Sequence, residues 1–190
     1  FECRELAPHN ETVIERLKQH PDVVAVTASH TGVIFSVHNI WGREIDGRQI
    51  QLDAFAVRWD FPEVMGIPVI EGEGFSGEGA AGQQIMFTRS TRPHVESLYE
   101  DGFFEEFEIK GTTDDLRLKS VGQADALTCL YTHPRYQLST FYVRILPGAD
   151  LRSLEKYIKE VVKEIEPRAD EPEIEFIEEF ARNYKSVGVG

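Results

Sequence analysis

The stretch Phe141 to Ile165, FYVRILPGADLRSLEKYIKEVVKEI, decides the fold of this chain. Its first apolar residues alternate along the chain, which predicts a strand: Phe141, Val143 and Ile145. Pro147 and Gly148 then predict a turn, and the carboxylate of Asp150 is suited to cap the first free amides of a helix. The helix carries apolar residues at helical spacing: Leu151, Leu154, Ile158, Val161, Val162 and Ile165.

The residues that follow this helix predict a second strand. Beyond Pro167 and Pro172, Ile174 and Phe176 alternate with glutamates, as in a half-buried strand. Residues 140–177 are therefore expected to form a β–α–β unit.

The beginning of the chain repeats the order of helix and strand. Asn10 is expected to cap a helix that ends before Pro21. Val23–Val26 and Val33–Val37 are rich in β-branched residues and predict extended backbone, with a turn or bulge at Gly32. Two such halves would place helices on one face of a sheet, which predicts an α+β fold.

A hairpin is predicted at Asp46 and Gly47, because both residue types tolerate positive φ. The following strand alternates apolar residues on one face: Ile50, Leu52, Ala54 and Ala56. Phe55 and Val57 make the other face apolar too, so the end of this strand is expected to be covered on both sides or to carry a bulge.

The glycine-dense run from Ser76 to Gly82 predicts a loop and a boundary. Beyond it we expect short strands at 85–88, 107–109 and 127–131 and a helix near residues 94–99. The prediction is two lobes: a discontinuous porter-like β–α–β lobe over 1–82 and 138–185, and an inserted, smaller, mainly β lobe over 83–137.

The composition of the chain argues against nucleic acid as a partner. The chain has 190 residues with 33 acidic and 20 basic ones, a formal charge of −13. Nucleic acid is not an expected partner, because phosphate binding relies on clustered lysine and arginine. The acidic run over 164–179 is interpreted as a solvated surface, with an acidic docking face as the alternative.

The sequence contains no run of about 18 apolar residues and no signal peptide. Since it begins at Phe1 without methionine, we interpret it as a segment excised from a longer protein.

No pattern in the sequence predicts catalysis, a cofactor or a metal. Gly77 to Gly82 matches G-x-G-x-x-G, but a strand rather than a helix is expected after it, so dinucleotide binding is not predicted. The histidines have no metal-ligand spacing: His9, His20, His30, His38, His94 and His133. Ser139 and Ser186 stand beside no evident base.

Paired carboxylates at Asp114–Asp115 and Glu105–Glu106 would matter for acid–base chemistry only if buried in a cleft. Cys3 and Cys129 do not define a disulfide framework, and whether they pair is left open. The aromatic residues Trp41, Phe55, Trp59 and Phe61 are interpreted as core, with an exposed strip for a protein partner as the alternative.

Several segments, in this order and spacing, resemble the extracytoplasmic core domain of MacB-like and FtsX-like ABC transporter permeases. The segments are VIERLKQHPDVVAVT from Val13, FPEVMGIPVIEGEGF from Phe61, FEIKGTTDDLRLKSV from Phe107 and FYVRILPGADLRSLEKYIKEV from Phe141. Glu73 stands where the family usually has arginine, and Thr112 where it has valine. The likeness is not recognisable over residues 89–104.

The resemblance implies a non-catalytic periplasmic or extracellular domain between the first two membrane helices of a permease. The parent would act in the inner membrane as a dimer with a second permease copy and a cytoplasmic ABC ATPase. It would transmit motion to an exported substrate or a periplasmic partner. Both ends of this chain would then lie toward the membrane, with the inserted lobe at the far end.

Two other interpretations remain. One is a stand-alone extracellular binding module, whose gene would encode a signal peptide or lipobox and no later membrane helices. The other is a small enzyme with a carboxylate-lined cleft, which a buried Asp114 or Asp115 would favour.

Overall fold

The computed structural model describes residues 1–32, 39–78, 82–116 and 126–176, which contain helices and two β-sheets. The smaller sheet pairs strand β1 (Val23–Ser29) with β9 (Thr140–Ile145) in antiparallel register. Helices α1 (Asn10–Lys18) and α4 (Leu151–Ile165) pack on this sheet. The α+β class predicted from the sequence is confirmed.

The core under α1 and α4 forms because each helix buries one apolar stripe against the strands. Val13, Ile14 and Leu17 of α1 and Leu154, Ile158, Val161 and Val162 of α4 contribute to it. The predicted cap at Asp150 is confirmed: its Oδ1 accepts hydrogen bonds from the amides of Arg152 at 3.1 Å and Ser153 at 3.2 Å.

The cap predicted at Asn10 is wrong. A 3-10 helix over Arg4–His9 precedes α1, so Asn10 already lies inside the helical segment and His9 occupies the capping position without a side-chain hydrogen bond. The early helical turn forms because Leu6 and Ala7 are buried beneath it.

The strand predicted after α4 is also wrong, and with it the β–α–β unit. Residues 171–176 have no strand, and residue 177 lies outside the described residues. One edge of β9 pairs with β1. The other is held by the first residues of the chain: the Phe141 amide donates to the Phe1 carbonyl at 2.8 Å, and the Cys3 amide to the Ser139 carbonyl at 2.9 Å. Ile174 still packs against the core, but as irregular backbone.

The strands of the larger sheet are β2 (Asn39–Ile45), β3 (Arg48–Ala56), β4 (Val69–Gly72), β5 (Gln83–Thr88), β6 (Phe103–Phe104), β7 (Phe107–Thr113) and β8 (Thr128–Thr132). They lie in the order β2-β3-β8-β5-β7-β4, with β6 paired to β7. Helix α2 (Phe61–Val64) lies between β3 and β4, and α3 (Glu96–Asp101) between β5 and β6. The short strands and the helix expected beyond residue 82 are thus confirmed within one or two residues, except that β7 extends further.

The predicted hairpin is confirmed. Asp46 and Gly47 have φ of 52° and 73° and join β2 to β3. The last five residues of β3 are buried on both faces, as its apolar pattern predicts. Val33–Val37 lie outside the described residues.

Strand pairing crosses the predicted boundary at residue 82. β2, β3 and β4 precede that residue, yet they belong to the same sheet as β5, β7 and β8. The lobe limits at 82 and 138 stay a prediction, but they do not separate one sheet from the other.

Both cysteines are buried and neither is in a disulfide; Cys3 lies in the core under the helices and Cys129 in the larger sheet. In the described parts of the chain, no helix is both long enough and apolar enough to cross a bilayer.

Candidate functional site

The two sheets are joined where the chain leaves β3. The Val57 amide donates to the Tyr131 carbonyl of β8, and the Arg58 amide donates to the Ala28 carbonyl of β1, both at 2.9 Å. The His30 amide donates a hydrogen bond to the Ala56 carbonyl at 2.9 Å. Backbone hydrogen bonds therefore run without interruption from the larger sheet to the smaller one through residues 56–58, which we call the junction.

The side chain of Arg58 ties a third element to the junction. Its guanidinium is 5% exposed and holds the carboxylate of Glu11 in α1 through two bonds, Nε to Oε1 at 3.0 Å and Nη2 to Oε2 at 2.8 Å. Nη1 donates to Asp60. The Thr27 hydroxyl of β1 donates to the other Asp60 oxygen at 2.7 Å. One buried cation therefore connects α1, β1 and the segment that leads into α2.

The electrostatics of this cluster favour the charged forms. Burial acts to lower the pKa of Arg58, but the bonds to Glu11 and the charges of Asp60 and Glu11 outweigh it, so the pKa is raised. The bond from Arg58 lowers the pKa of Glu11 below its ordinary 4.5. Both partners are thus ionised near neutral pH, which is the condition for a strong bidentate pair.

An apolar cluster that includes Val57, the residue before Arg58, contains residues from both sheets. It contains Phe55, Val57, Phe61, Ile67, Leu116, Leu130 and Tyr142. The rings of Tyr142 from β9 and Phe61 pack edge to face, with their centroids 5.4 Å apart. Because packed interiors transmit displacement, movement of one sheet is expected to carry the other with it.

Sequence reasoning missed Arg58 as a central residue. Its signal is a single cation inside the apolar run from Ala54 to Phe61, where a charge is buried only if it finds a partner. One partner, Asp60, stands in the same run, but the bidentate partner, Glu11, is remote in sequence, so the run alone could not identify it.

Stability is expected to fall at acidic pH through Glu11. A carboxylate whose pKa is depressed on folding stabilises the protein above its ordinary value of 4.5, and this contribution is lost as the pH falls through the folded-state pKa. Glu11→Gln should therefore be less stable than the wild type in urea denaturation near neutral pH, and the difference should shrink as the pH falls through the folded-state pKa of Glu11. Glu15→Gln, on the same helix but bound only to exposed Lys18, is the control and should differ little at either pH. A Glu11→Gln deficit that persists at acidic pH would contradict this origin.

A second feature is the close approach of the backbones at Gly72 in β4 and Gly111 in β7. Both have positive φ, 84° and 142°. A Cβ on Gly111 would lie 2.1 Å from the carbonyl oxygen of Glu71, and one on Gly72 would lie 2.5 Å from that of Lys110. Next to Gly72, Glu73 binds the Lys110 ammonium at 3.2 Å. The Glu73 carboxylate thus has a cationic partner on β7.

Gly111→Ala is expected to destabilise the protein by about 2 kcal/mol or more, because the new methyl group meets backbone and the conformation is strained for any L side chain. Thermal and chemical denaturation measure the loss. Gly42→Ala in β2 is the matched control, since a Cβ there meets nothing within 4 Å. Equal stability of the two variants would refute the crowding.

The structure does not bring together the residues that were considered from the sequence as candidates for catalysis or metal binding. Asp115 is exposed and Asp114 lies 3.6 Å from Arg89, while Glu105 and Glu106 are exposed on a turn. Ser139 donates to the His30 carbonyl at 3.2 Å. Ser186 and His38 lie outside the described residues, as does the middle of the glycine loop, although β5 does follow it. In the described ranges, no three histidine, cysteine or acidic side chains are grouped so as to hold a metal.

Three of the four aromatic residues proposed as one cluster divide between two clusters. Trp41 packs with Tyr131 and Phe107 in the larger sheet, and Phe55 and Phe61 lie in the apolar cluster shared by both sheets. Trp59 is half-buried with Arg58 over its ring at 4.9 Å. Packing thus accounts for most of them, without an exposed aromatic strip.

Comparison of the whole fold defines its class: it is the fold of the extracytoplasmic domains of MacB-like ABC transporter permeases. One similar structure is the periplasmic region of MacB from Actinobacillus actinomycetemcomitans, with TM-score 0.55, 11% identity, and coverage of 95% of this chain and 84% of that one. A second is the extracellular domain of the ABC-type transporter YknZ from Gram-positive bacteria, with TM-score 0.59, 14% identity and 85% coverage of both chains.

A third is a domain described as part of a permease protein from Porphyromonas gingivalis, with TM-score 0.55, 13% identity, and coverage of 88% and 87%. No family model matches the sequence, and a search of curated proteins found no match. The resemblance noted in the sequence is thus confirmed at the level of fold.

Proposed function

We propose that this chain is the non-catalytic extracytoplasmic domain of an ABC transporter permease. It transmits the motion of a cytoplasmic ATPase to an exported substrate or to a partner outside the membrane. The observation that carries the proposal is the fold shared along 85% or more of this chain with domains of that class. In the parent, the permease pairs with a second copy and with the ATPase.

The junction gives the proposal a physical route. A domain that transmits motion needs its parts to move together, and here the backbone bonds at residues 56–58, the Arg58 cluster and the shared apolar cluster connect the two sheets.

The smaller sheet is the part that we place toward the membrane. Phe1 lies beside Phe141 of β9 in antiparallel pairing, so residues that precede it in a longer protein would continue along β9 toward Ile145. Ile174, near the last described residue, packs into the same core as Phe1. Both ends of the described chain therefore pack against the core of the smaller sheet, as a domain inserted between two membrane helices requires.

Two measurements test the proposal. The parent reading frame should encode an apolar run of about 20 residues shortly before Phe1 and three such runs beyond Gly190. A gene with a signal peptide and no such runs would replace the proposal with the stand-alone binding module.

The second measurement concerns coupling. The parent permease is expressed with its ATPase, and ATP hydrolysis and export are compared between Arg58→Ala and Arg16→Ala. Arg16 forms an exposed pair with Glu164 away from the junction, so its loss should change neither rate. Loss of Arg58 should reduce export per ATP hydrolysed in protein that is still inserted in the membrane. Equal coupling in the two variants would contradict transmission through the junction.

A further inference from the structure

Strands β4 and β6 together form one interrupted edge of the larger sheet. β5 holds one side of β7, and both β4 and β6 pair with the other side. Both run antiparallel to β7, with Val69 opposite Thr113 at one end and Phe104 opposite Phe107 at the other. Among the strands that the structure describes, none pairs with the outer side of β4. We call β4 and β6 the composite edge.

The composite edge exposes apolar side chains at both ends. All four residues of β4 are exposed, with Val69 and Ile70 at 40% and 42%, and Phe103 of β6 is 56% exposed. Ile70 sits at a bulge and has no residue opposite it on β7. An exposed edge with β-branched residues is the usual template for pairing with another strand.

Between these apolar ends lies a groove with an excess of negative charge. A cavity of about 230 Å³ is lined by Glu71, Glu73 and Glu108 together with Lys110 and Tyr99. Glu73 and Glu108 are 87% and 51% exposed, whereas Lys110 is only 11% exposed. Arg92 offsets Glu71 from 3.5 Å and is itself stacked on the Tyr99 ring. The carboxylates thus face solvent and the cations lie behind them.

The charges decide which partner this edge fits. A second copy of the chain would bring another formal charge of −13 to an edge that is already acidic, which opposes pairing between copies. A basic segment is attracted over a distance and meets exposed carboxylates on arrival. The composite edge runs alongside β7, which spans Phe107–Thr113, so it is about 20 Å long and matches a strand of about six residues.

We propose that the composite edge binds an extended, basic segment of a partner protein as an added strand, with its cationic side chains over Glu73 and Glu108 and its apolar ones on Val69, Ile70 and Phe103. The compartment in which the partner is found, outside the membrane, rests on the proposed function. The binding itself is a property of the isolated chain.

The probe is a synthetic peptide of about six residues that alternates lysine and valine, titrated into the 190-residue chain and followed by amide NMR shifts and calorimetry. Shift changes should concentrate on β4, β6 and Lys110. A peptide with the same charge but a central proline lacks a backbone donor and should bind about tenfold more weakly. A peptide with glutamate in place of lysine should not bind.

Two variants of the protein separate pairing at this edge from general attraction to an acidic protein. Ile70→Lys places a cation on the edge and should weaken binding by about tenfold. Leu151→Lys makes the same kind of change at an exposed leucine of α4, 41% exposed, and should leave binding unchanged. Both sites are exposed, so both variants should fold.

Equal weakening by the two variants, equal binding of the proline peptide, or shifts away from the composite edge would overturn the proposal. That failure would leave the permease assignment intact, since the parent gene and the coupling assay test it separately. Conversely, a parent gene without membrane runs would remove the permease assignment while peptide binding at the edge stood.

Discussion

Arg58→Ala is expected to lower the free energy of unfolding by about 3 kcal/mol, because removing the buried cation leaves the largely buried carboxylate of Asp60 without its charged partner. Asp60 is 11% exposed and would keep only its bond from Thr27, while α1 would lose its link through Glu11. The stacking of Arg58 on Trp59 would be lost as well. Urea denaturation followed by tryptophan fluorescence measures the loss.

The matched control for this substitution is Arg16→Ala. Arg16 pairs with Glu164 across α1 and α4, but the two side chains are 34% and 59% exposed, so the loss should be below about 1 kcal/mol. A replacement that keeps volume without charge, Arg58→Met, separates packing from charge. If Arg58→Ala and Arg16→Ala unfold at the same urea concentration, the Arg58 cluster does not hold the junction.

Ile158→Asp is expected to have the larger effect, a loss of about 4 kcal/mol or more that unfolds the helix-bearing part at modest temperature. Ile158 is 2% exposed and lies between α4 and the smaller sheet. The change removes roughly 1.5–3 kcal/mol of buried apolar surface and places a carboxylate where no partner lies ready. Circular dichroism during heating measures the melting temperature.

Leu151→Asp is the control on the same helix. Leu151 is exposed and stands at the first helical position, where a carboxylate interacts favourably with the free amides. Its melting temperature should stay close to that of the wild type. Unchanged melting of Ile158→Asp would show that α4 does not pack by this face.

Local signals in the sequence predict local structure well here, and long-range pairing poorly. Asp150 caps α4 and Asp46–Gly47 turns a hairpin because both depend on neighbouring residues alone. The strand expected at Ile174 has the right alternation, but a strand needs a free edge, and the first residues of the chain occupy it. No pattern within residues 171–176 carries that information.

The same distinction explains the site. The glycines around Gly72 can be interpreted from the sequence as turn residues. The requirement for glycine at position 111, opposite Gly72, becomes evident only when β4 and β7 pair. Likewise, the apolar run around Arg58 indicates that the cation needs a partner without identifying Glu11. The sequence therefore predicts which elements form, and the contacts between them define the junction.

The pairing of β1 with β9 sets the order in which this chain acquires its structure during synthesis. All strands of the larger sheet lie between these two in the sequence, so ribosomal synthesis completes that sheet before β9 emerges. Until then, the apolar faces of α1 and β1 lack the strand and helix that cover them. Such long loop closure slows folding and exposes the early segment to aggregation. Truncation before residue 140 should therefore yield a chain that depends on chaperones, although most of its strands are present.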